Sequence, residues 1–449
     1  MNSPNRTNDL TQGHPLKQII LFSLPLVFGT LFQQVYSFAD TVIVGRCLGV
    51  DALAAVGNTY SLNFLTLGFL QGACVGFSIL VAQSFGAKNP EEMRRYLWNG
   101  TWLSAAVSLL MTISMLLVSG PLLRMIHTPE AIFDLSLVYI NVIFIGIPAT
   151  ALYNYSANVL RALGDSRRPF YFLLFSSLLN IALDYLFILP LQMGILGAAL
   201  ATVLSQLVSG LLNIWWLFTR VDIIRIHREE MTVSGRHLKR LCLIGLPMGF
   251  EYSVSAVGAV VMQNSINSLG SIAVAAQTAG EKIRQMFTLP MESVGMAMAT
   301  YAGQNYGAGR MDRVKSGIRY GLLIQTVYSA CAWLVLFLSK YALVRFVLGP
   351  SETEVFDGGV QYLTLISTLF VIHGSLMIFR NTLQGLGYSL HAILSGVGEL
   401  IGRSLGGWLA VYAFGYPAIC YANPLAWFLA LCYCVVMTAY VLQKKQKVS

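Results

Sequence analysis

The chain has 449 residues, of which 56% are hydrophobic and only 11% charged, and its formal net charge is +9. A soluble domain carries roughly a quarter charged residues, so this composition excludes a soluble enzyme, a disordered chain and a nucleic-acid-binding protein of the basic-patch kind. The mean hydropathy of +0.65 indicates an integral membrane protein.

Long apolar runs recur along the whole chain. A helix needs roughly 20 apolar residues to cross a bilayer, and these runs lack the alternation of barrel strands. We predict an all-α membrane protein with twelve transmembrane helices, at residues 17–44, 53–83, 96–119, 132–158, 169–189, 194–219, 241–268, 274–302, 317–339, 357–382, 388–413 and 417–442. The polar opening segment has no small-residue cleavage site, so we expect the first span to be retained.

Lysine and arginine residues are unevenly distributed between the loops. With the N-terminus inside, the cytoplasmic segments hold 21 of them and the outer loops hold four, Arg46, Arg124, Lys340 and Arg345. Positive residues are enriched on the cytoplasmic side of a membrane, so we predict that both termini are cytoplasmic. This topology and the anionic inner leaflet explain the net charge without a nucleic-acid partner.

Neither a metal centre nor a nucleotide site is indicated. The seven cysteines are scattered without metal-ligand spacing. The sequence contains no GxxxxGK[ST] phosphate loop, and its cytoplasmic loops are too short for a nucleotide-binding domain. We therefore expect no cofactor and no use of ATP, which leaves secondary transport, a channel or a lipid-handling membrane enzyme.

The second half of the chain repeats the first at an offset of about 222 residues. Four segments match in the same order: 23–25 with 245–247, 52–55 with 273–276, 83–87 with 304–308, and 160–164 with 383–387. We predict two homologous six-helix lobes, 1–219 and 241–449, joined by a cytoplasmic linker at 220–240. Because each lobe has an even number of spans, the repeats are parallel.

Polar residues inside the first predicted lobe form a candidate cation site. Asp40 follows Gln34 and Tyr36 in the first span, while Asn180 and Asp184 share one face of the fifth because they are four residues apart. Such oxygen-rich groups suit a proton or a hard monovalent cation, although Asp40 could instead cap the outer helix end. Pro25 removes a backbone hydrogen bond and is either a hinge or a static kink.

The second predicted lobe carries its own ionisable residues. Glu251 lies four residues after Pro247, and we expect it to face a cavity. His373 is either a hydrogen-bonded interior histidine or a proton carrier. Glu399 and Arg403 are spaced as a self-neutralising pair.

The sequence resembles the multidrug and toxic compound extrusion (MATE) family over nearly its whole length. The resemblance is carried by residues 24–25 and 38–41, 82–87, 161–165, Asn180 with Asp184, and the segment 304–307 that repeats 83–86 in the second half. It implies two six-helix lobes in a V, and a cation-coupled antiporter whose N-lobe site uses Asp40, Asn180 and Asp184, with Thr202 nearby.

The resemblance also indicates which residues lie near the transport cavity and which coupling is favoured. Tyr36 and Tyr139 match positions near the N-lobe cavity, and Glu251 matches a C-lobe acid that some members use. The helix 10 carboxylate of those members is missing, since residues 372–375 read Ile-His-Gly-Ser. This difference favours N-lobe coupling to protons.

We therefore expect a monomeric, multi-pass protein of a bacterial cell membrane that exports small amphipathic or cationic organic compounds in exchange for H+ or Na+. The coupling ion would bind at Asp40, Asn180, Asp184 and Thr202, and a sodium ion would take Asp40, Asn180 and Asp184 as its ligands. The residues expected to line the substrate cavity are Tyr36, Tyr139, Gln34, Glu251 and His373. A lipid-linked precursor flippase and a membrane-embedded lipid-modifying enzyme are the alternatives.

Overall fold

A computed structural model describes residues 9–349 and 353–446 of the chain, without the side chains of 445 and 446. Arg6 and Lys447, which contribute to the predicted cytoplasmic charge, lie outside the described residues. Within these ranges there are fourteen α-helices. They are α1 (Pro15–Leu48), α2 (Val50–Gly86), α3 (Pro90–Met125), α4 (Glu130–Ile145), α5 (Ile147–Ala162), α6 (Arg167–Ile188), α7 (Gly194–Arg220), α8 (Gly235–Ser268), α9 (Ser271–Gly307), α10 (Met311–Leu348), α11 (Thr353–Thr368), α12 (Phe370–Gly385), α13 (Ser389–Leu409) and α14 (Tyr416–Gln446).

Each of the twelve predicted spans falls on one of these helices or on a bent pair, so the predicted all-α membrane fold is confirmed. In the described ranges, eight single helices are long and apolar enough to cross a membrane. The pairs α4–α5 and α11–α12, bent by 45° and 48°, bring the number to ten. The helices α9 and α13 are also long enough to cross a membrane. Their ionisable residues lower their mean hydropathy, so they are not among these ten.

The helices form two compact units. Among the described residues, unit 1 contains Asp9 and Phe28–Gly249, and unit 2 contains Leu10–Val27 and residues 250–446 with the gap at 350–352. These limits differ from the predicted lobes in two segments, because 10–27 packs with unit 2 and 220–249 packs with unit 1. The division falls two residues after Pro25 in α1 and two residues after Pro247 in α8.

Specific contacts explain why residues 10–27 belong to unit 2. Leu10 is fully buried, and its N–H donates to Oε1 of Gln304 at 2.9 Å. The Arg313 guanidinium donates to the carbonyl oxygens of Leu10 (3.2 Å), Gln12 (3.3 Å) and Gly13 (2.8 Å). One side chain thereby satisfies three carbonyl groups that precede α1.

The predicted linker packs against α3 in unit 1. Arg94 donates from Nε and Nη2 to both carboxylate oxygens of Glu230, at 2.7 and 2.6 Å. Asn99 donates to the Thr232 carbonyl oxygen at 3.1 Å and accepts from the Ser234 N–H at 2.9 Å. The bidentate geometry and the burial of Glu230 fix the segment that precedes α8.

Replacing Glu230 with alanine is expected to destabilise unit 1 by about 3 kcal/mol, because the Arg94 guanidinium then lacks its buried partner. The hydrogen bonds from Arg94 lower the pKa of Glu230. The stability that these hydrogen bonds contribute is therefore present above the usual glutamate pKa. It is lost as the pH falls through the lowered pKa of Glu230. Thermal unfolding of the detergent-solubilised protein at pH 7 and at acidic pH measures both effects. Glu229→Ala, at the exposed neighbour, is the matched control; equal unfolding temperatures for both variants would contradict the prediction.

Glycines allow close helix contacts in both units. A Cβ at Gly76 of α2 would lie 2.4 Å from the Gly245 Cα in α8, and one at Gly402 of α13 would lie 2.4 Å from the Ala426 Cα in α14. Real side chains do not fit at these distances. Small residues therefore set the backbone separation, as is usual where membrane helices pack.

Candidate functional site

A pair of carboxyl groups lies inside unit 1. Asp40 of α1 and Asp184 of α6 are within hydrogen-bonding reach of each other. With its amide oriented to satisfy both neighbours, Asn180 donates to Oδ2 of Asp184 and accepts from the Thr202 N–H, each at 3.2 Å. The spacing of 180 and 184 on α6 places the amide and the carboxyl on one face, and α7 supplies Thr202.

This carboxyl pair is only partly satisfied by its neighbours. Oδ1 of Asp40 and Oδ1 of Asp184 are buried, and neither has a hydrogen-bond partner among the described residues. Asp184 and Asn180 are fully buried. A buried acceptor without a partner is costly, so these two oxygens are available to a proton or a cation.

Two tyrosines border the carboxyl pair. Tyr36, one turn before Asp40 on α1, lies near Thr202, and both Tyr36 and Tyr139 of α4 interact electrostatically with the two carboxyl groups. The structure thus brings together the predicted residues Tyr36, Asp40, Tyr139, Asn180, Asp184 and Thr202.

Tyr36 also lines a small cavity in unit 1, with a volume of about 30 Å³. Gln33 lines this cavity, whereas the predicted Gln34 does not. Its other lining residues are Tyr153, Leu173, Ser176, Ser177, Ser205, Gln206 and Ser209. The space holds about two water molecules, enough to hydrate the vicinity of the carboxyl pair and too small for a drug-sized compound.

Glu251 lies in a buried ion chain of unit 2. Arg380 of α12 reaches Glu251 Oε1 at 3.2 Å through Nη1 and hydrogen-bonds to Glu399 through Nη2. Glu251 also accepts from Gln384 at 2.7 Å. Glu399 and Arg403 form the pair that their spacing predicts, at 3.1 Å. Residue spacing does not predict the bridging role of Arg380, because this arginine joins three helices.

A partly buried carboxylate of unit 2 is also neutralised. Glu281 of α9 accepts hydrogen bonds from Arg284 at 2.6 Å, from Tyr362 at 2.6 Å and from Asn423 at 2.9 Å. Four groups on α9, α11 and α14 are thereby linked. Buried charges in this unit are thus mostly held as ion pairs.

His373 is buried on α12, where its ring lies 4.6 Å from the ring of Trp427. Neither ring nitrogen has a hydrogen-bond partner in the described part of the chain. Its nearest acid is Glu292 of α9, with Nε2 and Oε1 3.8 Å apart. Glu292 was not singled out in the sequence, although an acid inside the predicted span 274–302 could have been.

Helices that cross a membrane, with carboxyl groups held inside them, define a multi-pass membrane protein with ionisable groups in its interior, as is typical of ion and substrate pathways. The sequence profile of the MatE family matches residues 25–186 and 247–401. The chain belongs to this family, and the predicted family resemblance is confirmed. The two matched segments begin at Pro25 and Pro247, which reproduces the offset of about 222 residues in the internal repeat.

Similar proteins agree with this assignment. The chain is 29% identical to the probable multidrug resistance protein YpnP of Bacillus subtilis, over 86% of each chain. It is 28% identical to the probable multidrug resistance protein YoeA of the same organism, over 83% of this chain and 81% of the relative. The structure of an outward-facing multidrug resistance MATE family transporter superposes with a TM-score of 0.92, at 22% identity and 99% coverage of both chains. That likeness concerns the fold alone.

Family membership excludes the alternative of a lipid-modifying enzyme, because MatE proteins are transporters. The protein is a multi-pass membrane transporter of the MATE multidrug efflux family.

Proposed function

We propose that the protein is a secondary antiporter that exports amphipathic, cationic organic compounds in exchange for protons by alternating access. The observation that carries this proposal is the Asp40 and Asp184 pair, whose two buried oxygens have no partner among the described residues. The names of the Bacillus relatives support the substrate class. The proposal includes a monomer in a bacterial cell membrane, with both termini cytoplasmic.

The surroundings of the pair favour a proton over sodium. Two carboxyl groups within hydrogen-bonding reach can share one proton without further ligands. Hard metal cations prefer about six oxygen ligands. The described residues contain no group of three or more His, Cys, Asp or Glu that could hold a metal ion, so sodium would depend on the oxygens of Asn180 and Thr202 and on water.

The ion pairs of unit 2 support coupling through unit 1. Glu251 and Glu399 already share the Arg380 guanidinium, which leaves little reason for a transported cation to bind between them. The same pairing weakens the flippase alternative. A flippase for an anionic lipid-linked precursor would need unpaired cations in its interior, whereas Arg284, Arg380 and Arg403 each contact a carboxylate. Lys282, the other lysine or arginine of these spans, is exposed.

Transport into proteoliposomes tests the proposal. Purified protein is reconstituted, and ethidium accumulation is followed under an imposed pH gradient, under a sodium gradient and without a gradient. We expect accumulation driven by the pH gradient. Accumulation driven only by sodium would overturn proton coupling, and absence of gradient-driven accumulation would overturn the antiporter.

Replacing Pro25 with alanine is expected to lower the rate of pH-driven ethidium transport about fivefold, equivalent to roughly 1 kcal/mol in an activation barrier. Pro25 interrupts the hydrogen-bond ladder of α1 two residues before the helix passes from unit 2 to unit 1, so it is suited to a hinge. The exposed Pro121, inside α3, provides the control Pro121→Ala. A wild-type transport rate in Pro25→Ala would show that the proline is a static kink and not a hinge.

A further inference from the structure

The interior of unit 2 contains one carboxylate more than its guanidinium groups neutralise. The acids are Glu251, Glu281, Glu292 and Glu399, and the arginines are Arg284, Arg380 and Arg403. Three of the four acids lie within 3.2 Å of an arginine nitrogen. Glu292 is the exception, since among the described residues no lysine or arginine nitrogen comes within 4.0 Å of its carboxylate.

Glu292 is also the most accessible acid of this group. Its side chain is 48% exposed, compared with 26% for Glu281, 8% for Glu251 and 5% for Glu399. It lies near the middle of α9, where a carboxylate directed into lipid would be very unfavourable. Glu292 Oε1 lies 3.8 Å from Nε2 of the buried His373, so the carboxylate is directed toward the polar interior of unit 2.

An independent observation comes from His373, which is 6% exposed and lies beside Glu292. Both of its ring nitrogens lack a hydrogen-bond partner within the described ranges. The 3.8 Å between His373 Nε2 and Glu292 Oε1 exceeds a hydrogen bond. Here a buried imidazole without a hydrogen-bond partner lies beside a carboxylate that no arginine or lysine neutralises. This arrangement is expected where a ligand supplies the missing hydrogen bond.

An aromatic ring lies against one side of the same position. His373 packs on Trp427 with a centroid distance of 4.6 Å, and the half-buried Tyr252 of α8 interacts electrostatically with Glu292. A carboxylate combined with aromatic groups suits an organic cation, because electrostatic attraction and apolar contact act together. Two side chains, one of them an imidazole, are too few to coordinate a metal ion.

We propose that Glu292 and His373 form a recognition site for the positively charged nitrogen of an organic cation, in which Glu292 neutralises the charge and His373 hydrogen-bonds to the ligand. This inference deepens the proposed function and relies on it for the direction of transport. Binding itself requires no ion gradient. In this proposal the charge of the substrate is recognised in unit 2, whereas the coupling proton binds at the carboxyl pair of unit 1.

Equilibrium binding of ethidium to the purified full-length protein, measured by fluorescence anisotropy, tests the site. We expect Glu292→Gln to raise the dissociation constant about tenfold and Glu292→Asp to restore most of the affinity. His373→Phe keeps a ring against Trp427 but removes both nitrogens, and should weaken binding as well. Asp312→Asn, at an exposed acid of unit 2, is the control with the same charge change.

An uncharged dye provides the second arm, because its binding should be unaffected by Glu292→Gln. Size-exclusion chromatography establishes that each variant is folded, and Glu292→Asp provides the test if Glu292→Gln is unstable. Wild-type ethidium affinity in folded Glu292→Gln would overturn this inference while pH-driven accumulation by the wild type still supports the antiporter. Conversely, Glu292-dependent binding without gradient-driven accumulation would contradict the antiporter alone.

Discussion

Replacing Asp40 or Asp184 with asparagine should lower pH-gradient-driven accumulation of ethidium more than tenfold. Asparagine keeps the size of each side chain but cannot release a proton, so the cycle loses the step that joins ion movement to substrate movement. Ethidium binding and substrate counterflow without a gradient should persist, because neither requires net proton movement. The measurement is initial uptake into proteoliposomes at matched protein content.

The control is Asp134→Asn, which removes an exposed carboxylate from α4 of the same unit. Unchanged pH-driven accumulation in both Asp40→Asn and Asp184→Asn would disprove the coupling role of the pair. If only one variant lost coupling, that carboxyl group would be the proton carrier and the other would act through its hydrogen bond.

Replacing Arg380 with methionine is expected to destabilise unit 2 by about 3–5 kcal/mol, the usual cost of leaving a buried charge without its partner. Glu251 would retain only Gln384, and Glu399 only Arg403, among the hydrogen-bonding groups described here. Thermal unfolding of the solubilised protein should show the loss as a lower midpoint.

The double variant Glu251→Met with Arg380→Met should recover most of that stability, because it removes one positive and one negative charge together. Arg319→Met, at an exposed arginine of α10, controls for the loss of a surface cation. A midpoint for Arg380→Met equal to that of Arg319→Met would show that the ion chain contributes nothing measurable. Failure of the double variant to recover would indicate that Arg380 acts through packing.

Several features followed from the sequence because they depend on local patterns. Hydropathy places most of the spans, since a bilayer imposes a length and an apolar character on every crossing helix. The repeat at about 222 residues is visible as matched segments. The neighbouring positions of Asn180 and Asp184, and the pairing of Glu399 with Arg403, follow from helical spacing.

Other features depended on which helices pack together. No local pattern brings Asp40 of α1 to Asp184 of α6, aims Arg380 at acids of α8 and α13, or places His373 beside Glu292. These residues are separated by many positions in the chain, and helical periodicity carries no information about partners on another helix. The family resemblance indicated the first of these groupings; the other two came from the tertiary structure.

The sequence by itself therefore determined a duplicated, twelve-span transporter and most of the residues around the unit 1 carboxyl pair. Only the tertiary structure decided which buried charges are neutralised and which remain open, and that residues 10–27 pack with unit 2 while 220–249 pack with unit 1. The physical reason is that span formation is set by the transfer of each segment from water to lipid, whereas charge pairing is set by distances of a few ångströms between separate helices.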